Sequence, residues 1–268
     1  NAACSSGNIS TTLDGATADV GRFTSIAIGT DQFPVVSYRD VTNLDLKVAK
    51  CADPACSNPA MVTTVDGAGT NVGEHTSIAI GSDGLPVISY YDVGATNLKV
   101  AKCADIDCSV PAGITTADGG GADLGRYSSI TVPGDGLPII AHYSASAGRL
   151  RAVKCTDLAC AGSSAAVVDA SADVGAHASI GIGADGLPII AYHDVTNGTL
   201  KIARCGSATC ASGNTLSVLD TNAVTGHFTS ITVGGDGLPF VTYRDVSGDG
   251  LMAAKCANAF CLDYWSRR

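Results

Sequence analysis

One set of aromatic and imidazole side chains recurs at a nearly constant spacing, and most residues that could do chemistry lie beside it. The set comprises Phe23, His75, Tyr127, His177 and Phe228. The position before it holds Arg22, Glu74, Arg126, Ala176 and His227. Aromatic faces beside charged hydrogen-bonding groups suit sugar rings, whose C–H faces stack while their hydroxyls take directional hydrogen bonds. The set therefore predicts a site for a carbohydrate, although a peptide would fit the same composition.

A second motif follows each member of the first set. It reads Tyr38-Arg39-Asp40, Tyr90-Tyr91-Asp92, His142-Tyr143-Ser144, Tyr192-His193-Asp194 and Tyr243-Arg244-Asp245. Tyr38, Tyr90 and Asp92 are further candidates for ligand contact. The alternative is structural: each Asp caps a turn or pairs with a downstream cation, and each Tyr packs between repeats. That alternative is favoured for this motif, whereas the two readings stay balanced for the first set.

The sequence argues against the common forms of catalysis. Glycoside hydrolysis needs two carboxylates, and Glu74 is the only glutamate, so it would have to pair with a loop aspartate. The segments expected to line a central channel read as Ser, Thr, Ala and Ile. The histidines are His75, His142, His177, His193 and His227, and they show no metal-binding spacing. We therefore expect no metal, no cofactor and no enzymatic activity.

These residues belong to an internal repeat, which decides the fold. The anchors Ser25, Ser77, Ser129, Ser179 and Ser230 lie 52, 52, 50 and 51 residues apart. In the second repeat we predict strands at Thr76–Gly81, Val87–Asp92, Leu98–Cys103 and Ile114–Asp118. The Asp83-Gly84 turn joins the first two, with Pro86 at the start of the second. Four short strands repeated about every fifty residues are typical of β-propeller blades.

The prediction is thus an all-β, five-bladed β-propeller with four-stranded antiparallel blades, forming one domain over 1–268. The unit SIAIGSDGLPVISYYDVGATNLKVAKC resembles the NHL-type propeller repeat, with its inner strand, Asp-Gly turn and second strand ending in Asp. The resemblance covers all five units. It implies the fold and leaves the activity open, because many functions use this blade.

The N-terminus resembles the end of a repeat. Residues 4–15 align without gaps on 56–67, so we expect a strand at 4–14 to complete the last blade and close the ring. Ten cysteines form pairs of C-x4-C spacing: Cys51/Cys56, Cys103/Cys108, Cys155/Cys160, Cys205/Cys210 and Cys256/Cys261. One pair per repeat favours local disulfides over zinc sites. Cys256 has two possible partners, Cys261 and Cys4, and the regular repeat favours Cys261.

Composition narrows the classes of partner. The chain has a net charge of −9 and 11 cysteines, and its only basic cluster is the terminal pair Arg267-Arg268. This predicts no nucleic-acid binding, no membrane span and an oxidising compartment, hence a secreted or cell-surface protein. We expect a lectin-like module with repeated weak sugar sites. The alternative is a structural or protein-interaction module, and a hydrolase or lyase is less favoured.

Overall fold

A computed structural model describes residues 7–15, 18–58, 60–67, 69–110, 113–222 and 224–262. Within them the chain forms nineteen strands in five antiparallel sheets, which are the blades. The first blade holds β1 (Val20–Ile28), β2 (Pro34–Asp40), β3 (Asp45–Lys50) and β4 (Met61–Asp66); the second holds β5 (Glu74–Ile80), β6 (Pro86–Asp92), β7 (Asn97–Lys102) and β8 (Gly113–Asp118). The third holds β9 (Leu124–Thr131), β10 (Ile139–Ser144), β11 (Arg149–Cys155) and β12 (Ser163–Asp169). The fourth holds β13 (Val174–Ile182), β14 (Pro188–Asp194), β15 (Thr199–Arg204) and β16 (Thr215–Asp220), and the last holds β17 (His227–Val233), β18 (Pro239–Asp245) and β19 (Gly250–Lys255).

The all-β five-bladed propeller predicted from the repeat is confirmed, with strands in simple meander order in every blade. Strand bounds in the second repeat differ from those predicted by one or two residues. The described residues contain no helix, and so none that could cross a membrane. One detail differs from the expectation: the last blade shows three strands, and residues 8–13 form no strand where they are described. Residues 4–6 of the predicted closing strand lie outside the described residues.

The tight turns between the first two strands of each blade are held by their aspartates. In the second blade, Asp83 Oδ1 accepts a hydrogen bond from Leu85 N at 3.1 Å, and Gly84 adopts a φ of 82°. The nearly buried Lys102, at the end of β7, pairs with the same carboxylate at 3.0 Å. The Asp-Gly signal in the sequence therefore corresponds both to a turn and to an anchor for the third strand.

Neighbouring blades pack face to face. Leu46 and Val48 of the first blade are buried against Ile88, Tyr90 and Ala101 of the second. Further polar links run around the channel, because each inner-strand serine accepts a hydrogen bond from a backbone N–H of the next blade. These bonds join Ile78 N to Ser25 Oγ, Ile130 N to Ser77 Oγ, Ile180 N to Ser129 Oγ and Ile231 N to Ser179 Oγ at 3.1–3.2 Å.

The five local disulfides are confirmed. They join Cys51 to Cys56, Cys103 to Cys108, Cys155 to Cys160, Cys205 to Cys210 and Cys256 to Cys261, with Cα–Cα distances of 4.8–5.0 Å. Cys256 thus pairs with Cys261, and Cys4 lies outside the described residues. The second cysteine of every pair has a φ between 51° and 53°. The same backbone conformation is therefore built five times at the start of each link to the fourth strand.

Gly125, the second residue of β9, shows how closely the start of an inner strand approaches the neighbouring blade. Its φ is 106°, and an added Cβ would lie 2.7 Å from Leu98 Cα. We expect Gly125→Ala to lower the free energy of unfolding by about 2–4 kcal/mol, since backbone atoms must move apart. Gly120→Ala is the matched control: its φ is 110°, but nothing lies within 4 Å of an added Cβ. Denaturant unfolding should show a clearly smaller loss for the control, and equal losses would contradict the close-approach explanation.

Candidate functional site

The predicted aromatic and imidazole set forms a ring of side chains where the inner strands begin. Each member sits at an irregularity in the pairing of the first two strands of its blade, as in the register shift between Glu74 and Ser77. All five members have positive φ values: Phe23 54°, His75 53°, Tyr127 53°, His177 55° and Phe228 50°. A β-bulge re-aims a side chain in this way at a cost in backbone strain. Repetition of the strain in five blades indicates that this placement of the side chains matters.

The ring members contact one another in sequence, and we call them the mouth ring. Their centroids lie 4.6 Å apart for Phe23 and His75, 4.4 Å for His75 and Tyr127, 4.3 Å for Tyr127 and His177, and 4.5 Å for His177 and Phe228. With the small residues that follow them, they line an open cavity of about 240 Å³. The residues that follow are Thr24, Thr76, Ser128, Ala178 and Thr229. Stacking faces and hydroxyls therefore converge in one shallow depression.

Glu74 precedes His75 of the mouth ring directly, and it occupies the first position of β5. The expectation that the inner strands carry no carboxylate is therefore wrong at this position, because the strand starts earlier than predicted. Glu74 Oε1 pairs with Arg39 of the first blade, whose side chain is 6% exposed against 30% for Glu74. Burial raises the pKa of Tyr127, with Arg126 opposing and Glu74 adding to the effect. The negative charge of Glu74 therefore contributes to the raised pKa of Tyr127 in the mouth ring.

A second carboxylate, Asp123, lies in the loop before β9. Its Oδ1 accepts hydrogen bonds from the Tyr91 hydroxyl at 2.9 Å and from Arg126 Nε at 3.2 Å. Arg126 also lies over the Tyr91 ring, with Cζ 5.3 Å from the centroid. Tyr91 is the register partner of Glu74, and its ring centroid is 6.4 Å from that of His75. Tyr91 therefore bonds to Asp123 and lies near the mouth ring, on the strand that pairs with β5.

The remaining predicted residues divide into two groups. Arg22 lies on the same rim, exposed and paired with Asp19 at 3.1 Å. Tyr38, Tyr90 and Asp92 do not reach the mouth. The Tyr38 hydroxyl donates to Asp14 at 2.7 Å, Tyr90 is 0% exposed and donates to Asp66, and buried Asp92 caps Ala95 N while pairing with Lys99 at 2.8 Å. Tyr90 and Asp92 are buried and Tyr38 is bonded to the N-terminal segment, which matches the structural alternative, so we leave these three out of the site.

Sequence reasoning missed Asp123, Arg39 and Tyr91 as site residues. A signal was present, because Asp123 aligns with Asp19, Asn71 and Asp173, each six residues before a repeat anchor. In three blade junctions the second residue of the Tyr/Asp motif reaches this loop position. Arg39 Nη2 donates to Asn71 at 2.7 Å, and the Tyr91 and Tyr143 hydroxyls donate to Asp123 and Asp173 at 2.9 and 2.6 Å.

The ring histidines are neutral at neutral pH. Burial, followed by the charges of Arg126 and Arg39, lowers the pKa of His75 to about 4. Burial, followed by His227, His193 and His75, lowers the pKa of His177 to about 3. Both rings can therefore stack and hydrogen-bond without repelling one another. Charging them would bring like charges together at the mouth.

These shifts predict a loss of stability in acid. The unfolded chain takes up protons near pH 6.5, whereas the folded histidines resist until about pH 4 and 3, so stability falls as the pH drops from about 6.5 towards 4. We expect a loss on the order of 1–2 kcal/mol per histidine, discounted because both rings are partly exposed. Thermal unfolding from pH 7 to pH 4 measures it. His177→Phe, which copies Phe23 and Phe228, should flatten the slope, and an unchanged slope would contradict the assignment.

No family profile and no curated protein matches this sequence, so the NHL resemblance is not shown. Solved structures match the fold. A protein of unknown function from Dyadobacter fermentans has a TM-score of 0.66 at 13% identity, over 93% of this chain and 81% of that chain. An α-L-arabinofuranosidase from Fusarium graminearum has a TM-score of 0.62 at 12% identity, over 88% and 80%. An α-L-arabinofuranosidase from Lactobacillus brevis has a TM-score of 0.52 at 11% identity, over 87% and 90%.

These similarities define the class as a five-bladed propeller of the architecture used by glycoside hydrolases, and at this identity they show the fold alone. They nevertheless correct two expectations from the sequence. The lectin-like function and the absence of enzymatic activity are wrong, because the functionally named neighbours are glycoside hydrolases. The physical reason for the error is that Asp123 is far from Glu74 in sequence, and its bond to Tyr91, the sheet partner of Glu74, crosses a blade junction.

Proposed function

We propose that this protein is a glycoside hydrolase whose active site is the mouth ring with the adjoining Glu74 and Asp123. The observation that carries the proposal is the placement of the chain's sole glutamate on an inner strand, directly before His75 of the mouth ring, while Asp123 bonds to Tyr91, the residue paired with Glu74 in the sheet. Two carboxylates beside aromatic stacking faces are the groups that glycosidic bond cleavage requires. The proteins of similar fold include arabinofuranosidases, a galactanase and an endo-arabinase. Their names support arabinose- or galactose-containing glycans as substrates.

The surroundings of the two carboxylates suggest different roles. Glu74 pairs with the guanidinium of Arg39, a buried cation with few other partners, which holds the carboxylate in place for the role of base or nucleophile. Asp123 is paired with Arg126, whose side chain is 44% exposed. Such a pair is weak, so a bound sugar can displace Arg126. Asp123 is then the second carboxylate that is open to the bound sugar.

The remaining residues bind and orient the sugar. The faces of His75 and Tyr127 stack against its C–H surface, and the ring hydroxyls and imidazoles exchange hydrogen bonds with its hydroxyl groups. Neutral histidines both donate and accept, which suits hydroxyl ligands. The five disulfides fit a protein of an oxidising compartment, and we propose that it is secreted and meets glycans outside the cell.

The test is hydrolysis by the purified, oxidised chain. Aryl α-L-arabinofuranoside, aryl β-D-galactoside, arabinan and β-1,3-galactan are incubated with the protein, and released aryl alcohol or reducing ends are measured. We expect turnover of at least one of the four substrates. Sugar binding without turnover of any of them would overturn the proposal.

A further inference from the structure

A second cavity lies at the opposite end of the strands from the mouth ring, between the first and second blades. Its volume is about 520 Å³, against about 240 Å³ for the cavity of the mouth ring. The walls come from the turn before β2, the end of β3, the start of β4 and the disulfide link of the second blade. We call it the basal cavity, and its charged or large lining side chains are Asp31, Phe33, Lys50, Met61 and Asp107.

The turn that forms one wall of the basal cavity departs from the repeat. At this turn the other four blades have a glycine followed by a leucine, whereas the first blade has Gln32 followed by Phe33. Gln32 adopts a φ of 68°, which strains any residue that carries a Cβ. Phe33 lines the cavity. The needs of the turn, which glycine meets in the other blades, therefore do not account for these two residues.

Two further lining residues depart from the repeat at the same place. Met61 is 51% exposed and is the sheet partner of Lys50. The same strand position holds Gly113, Ser164 and Thr215 in the next three blades. Asp107 lies within the link between Cys103 and Cys108, and the other four links have Ala55, Ala159, Thr209 and Phe260 there.

These departures come from three separate segments of two blades and meet in one cavity. Packing between blades uses the residues that recur, because every blade must fit its neighbours in the same way. Residues that depart from the repeat and converge are not needed for that packing. Their convergence on the basal cavity indicates a site that binds a ligand.

The basal cavity carries an excess of negative charge. Lys50 Nζ pairs with Asp31 Oδ2 at 2.7 Å and lies 5.0 Å from the centroid of the Phe33 ring. The side chain of Lys50 is 4% exposed, so this pair is part of the wall. The carboxylate of Asp107 is half-buried, and it has no hydrogen bond or ion pair to any residue that the structure describes. One carboxylate of the cavity is therefore left without a counter-charge.

The other walls of the basal cavity are apolar. Phe33 and Met61 line it together with the methyl groups of Ala52 and Ala60. The flexible thioether of Met61 adapts to the shape of a ligand. An aliphatic chain that ends in a cation matches both features, because the chain contacts the apolar wall and the cation pairs with Asp107. A neutral sugar can donate hydroxyl hydrogen bonds to Asp107, but it leaves the negative charge uncompensated.

We propose that the basal cavity binds a primary ammonium or guanidinium group carried on an aliphatic chain, either in a free amine or in a lysine or arginine side chain of a peptide. Asp107 accepts hydrogen bonds from the cation, and Phe33 and Met61 contact the chain. Binding here is independent of hydrolysis, because the basal cavity and the mouth ring lie at opposite ends of the strands.

Isothermal titration calorimetry of the purified, oxidised chain tests the proposal. The probes are n-pentylammonium as a free amine, Nα-acetylated and C-amidated lysine and arginine as peptide-borne side chains, and n-pentanol as a neutral analogue. We expect at least one cationic probe to bind with a Kd on the order of 0.1–1 mM and n-pentanol to bind about tenfold or more weakly. The tighter of the two kinds of cationic probe identifies the source of the ligand. No binding of any cationic probe, or equal binding of n-pentanol, would overturn the proposal.

Variants locate the binding within the chain. Asp107→Ala and Phe33→Leu each introduce a side chain that other blades already carry at that position, so both should leave Tm within about 2 °C of the wild-type value. Asp107→Ala should weaken binding of the cationic probe about tenfold or more, and Phe33→Leu about threefold. The control is Asp249→Asn, which removes the same charge from a side chain that is 83% exposed at the mouth end of the last blade. It should leave the Kd within about twofold. Equal weakening by Asp249→Asn and Asp107→Ala would show attraction to the net charge of the chain and overturn the proposal.

Discussion

Glu74→Gln is expected to lower glycoside hydrolysis by about 10²–10³-fold or more, while sugar binding changes little. Glutamine keeps the shape and one hydrogen-bond acceptor for Arg39, but it cannot act as a base or nucleophile. The buried guanidinium of Arg39 retains its bond to Asn71 Oδ1 at 2.7 Å. The loss should therefore appear in kcat and not in KM, measured on whichever substrate the wild-type protein cleaves.

The control lies on the opposite face of the propeller. Asp236→Asn removes a carboxylate that pairs with Lys255 beside a turn, far along the strands from the mouth. It should leave kcat within about twofold of the wild-type value, because it removes no group that contacts the sugar. Unfolding curves of both variants separate a catalytic effect from a folding effect. Full activity in a folded Glu74→Gln protein would contradict the assignment of Glu74.

Asp169→Ala is expected to lower the free energy of unfolding by about 3–5 kcal/mol, because it leaves a buried charge unpaired. Asp169 Oδ2 accepts hydrogen bonds from Lys201 Nζ at 2.5 Å and from the Tyr192 hydroxyl at 2.7 Å. The side chains of Asp169 and Lys201 are 1% and 9% exposed, and Tyr192 is fully buried. Without the carboxylate, Lys201 keeps only Ser171 at 3.0 Å and a more distant Asp194.

The chain offers its own control at the next junction. Asp220 accepts a hydrogen bond from the Tyr243 hydroxyl at 2.7 Å, but Met252 stands where the other blades have a cation. Asp220→Ala should therefore cost only about 1–2 kcal/mol, the value of a lost hydrogen bond and an unsatisfied hydroxyl. Denaturant unfolding of the two variants compares them directly. Losses of similar size would show that the buried lysine adds nothing to the cost.

The strands, turns and disulfides could be predicted from the sequence because each depends on nearby residues. The Asp83-Gly84 turn, Pro86 at the start of a strand and the five C-x4-C pairs lie within a few residues of the groups they organise. Because the unit recurs five times, the strands predicted for one blade apply to all five blades. The fourth strand of the last blade could not be settled in this way, because its pairing depends on whether the ends of the array meet.

The candidate site was harder to predict, because its groups come from different blades. The recurrence of its residue types in the sequence predicted the mouth ring. Nothing in the sequence predicted the positive φ values at these positions. Tyr90 and Asp92 recur with the same regularity, yet they are buried between blades. A recurring residue in a repeat protein serves either the interface or the ligand, and recurrence does not distinguish the two.

The sequence by itself determined the all-β architecture, the five repeats and the local disulfides, since tight turns, short strand segments and C-x4-C links act over a few residues. Only the tertiary structure brought Glu74 beside Arg39 and Tyr91 beside Asp123, because these contacts cross blade junctions and span 35 and 32 residues of chain. The same holds for the burial of Tyr90 and Leu98. Whether a side chain is buried is decided by the blade that lies against it, and that blade is distant in the sequence.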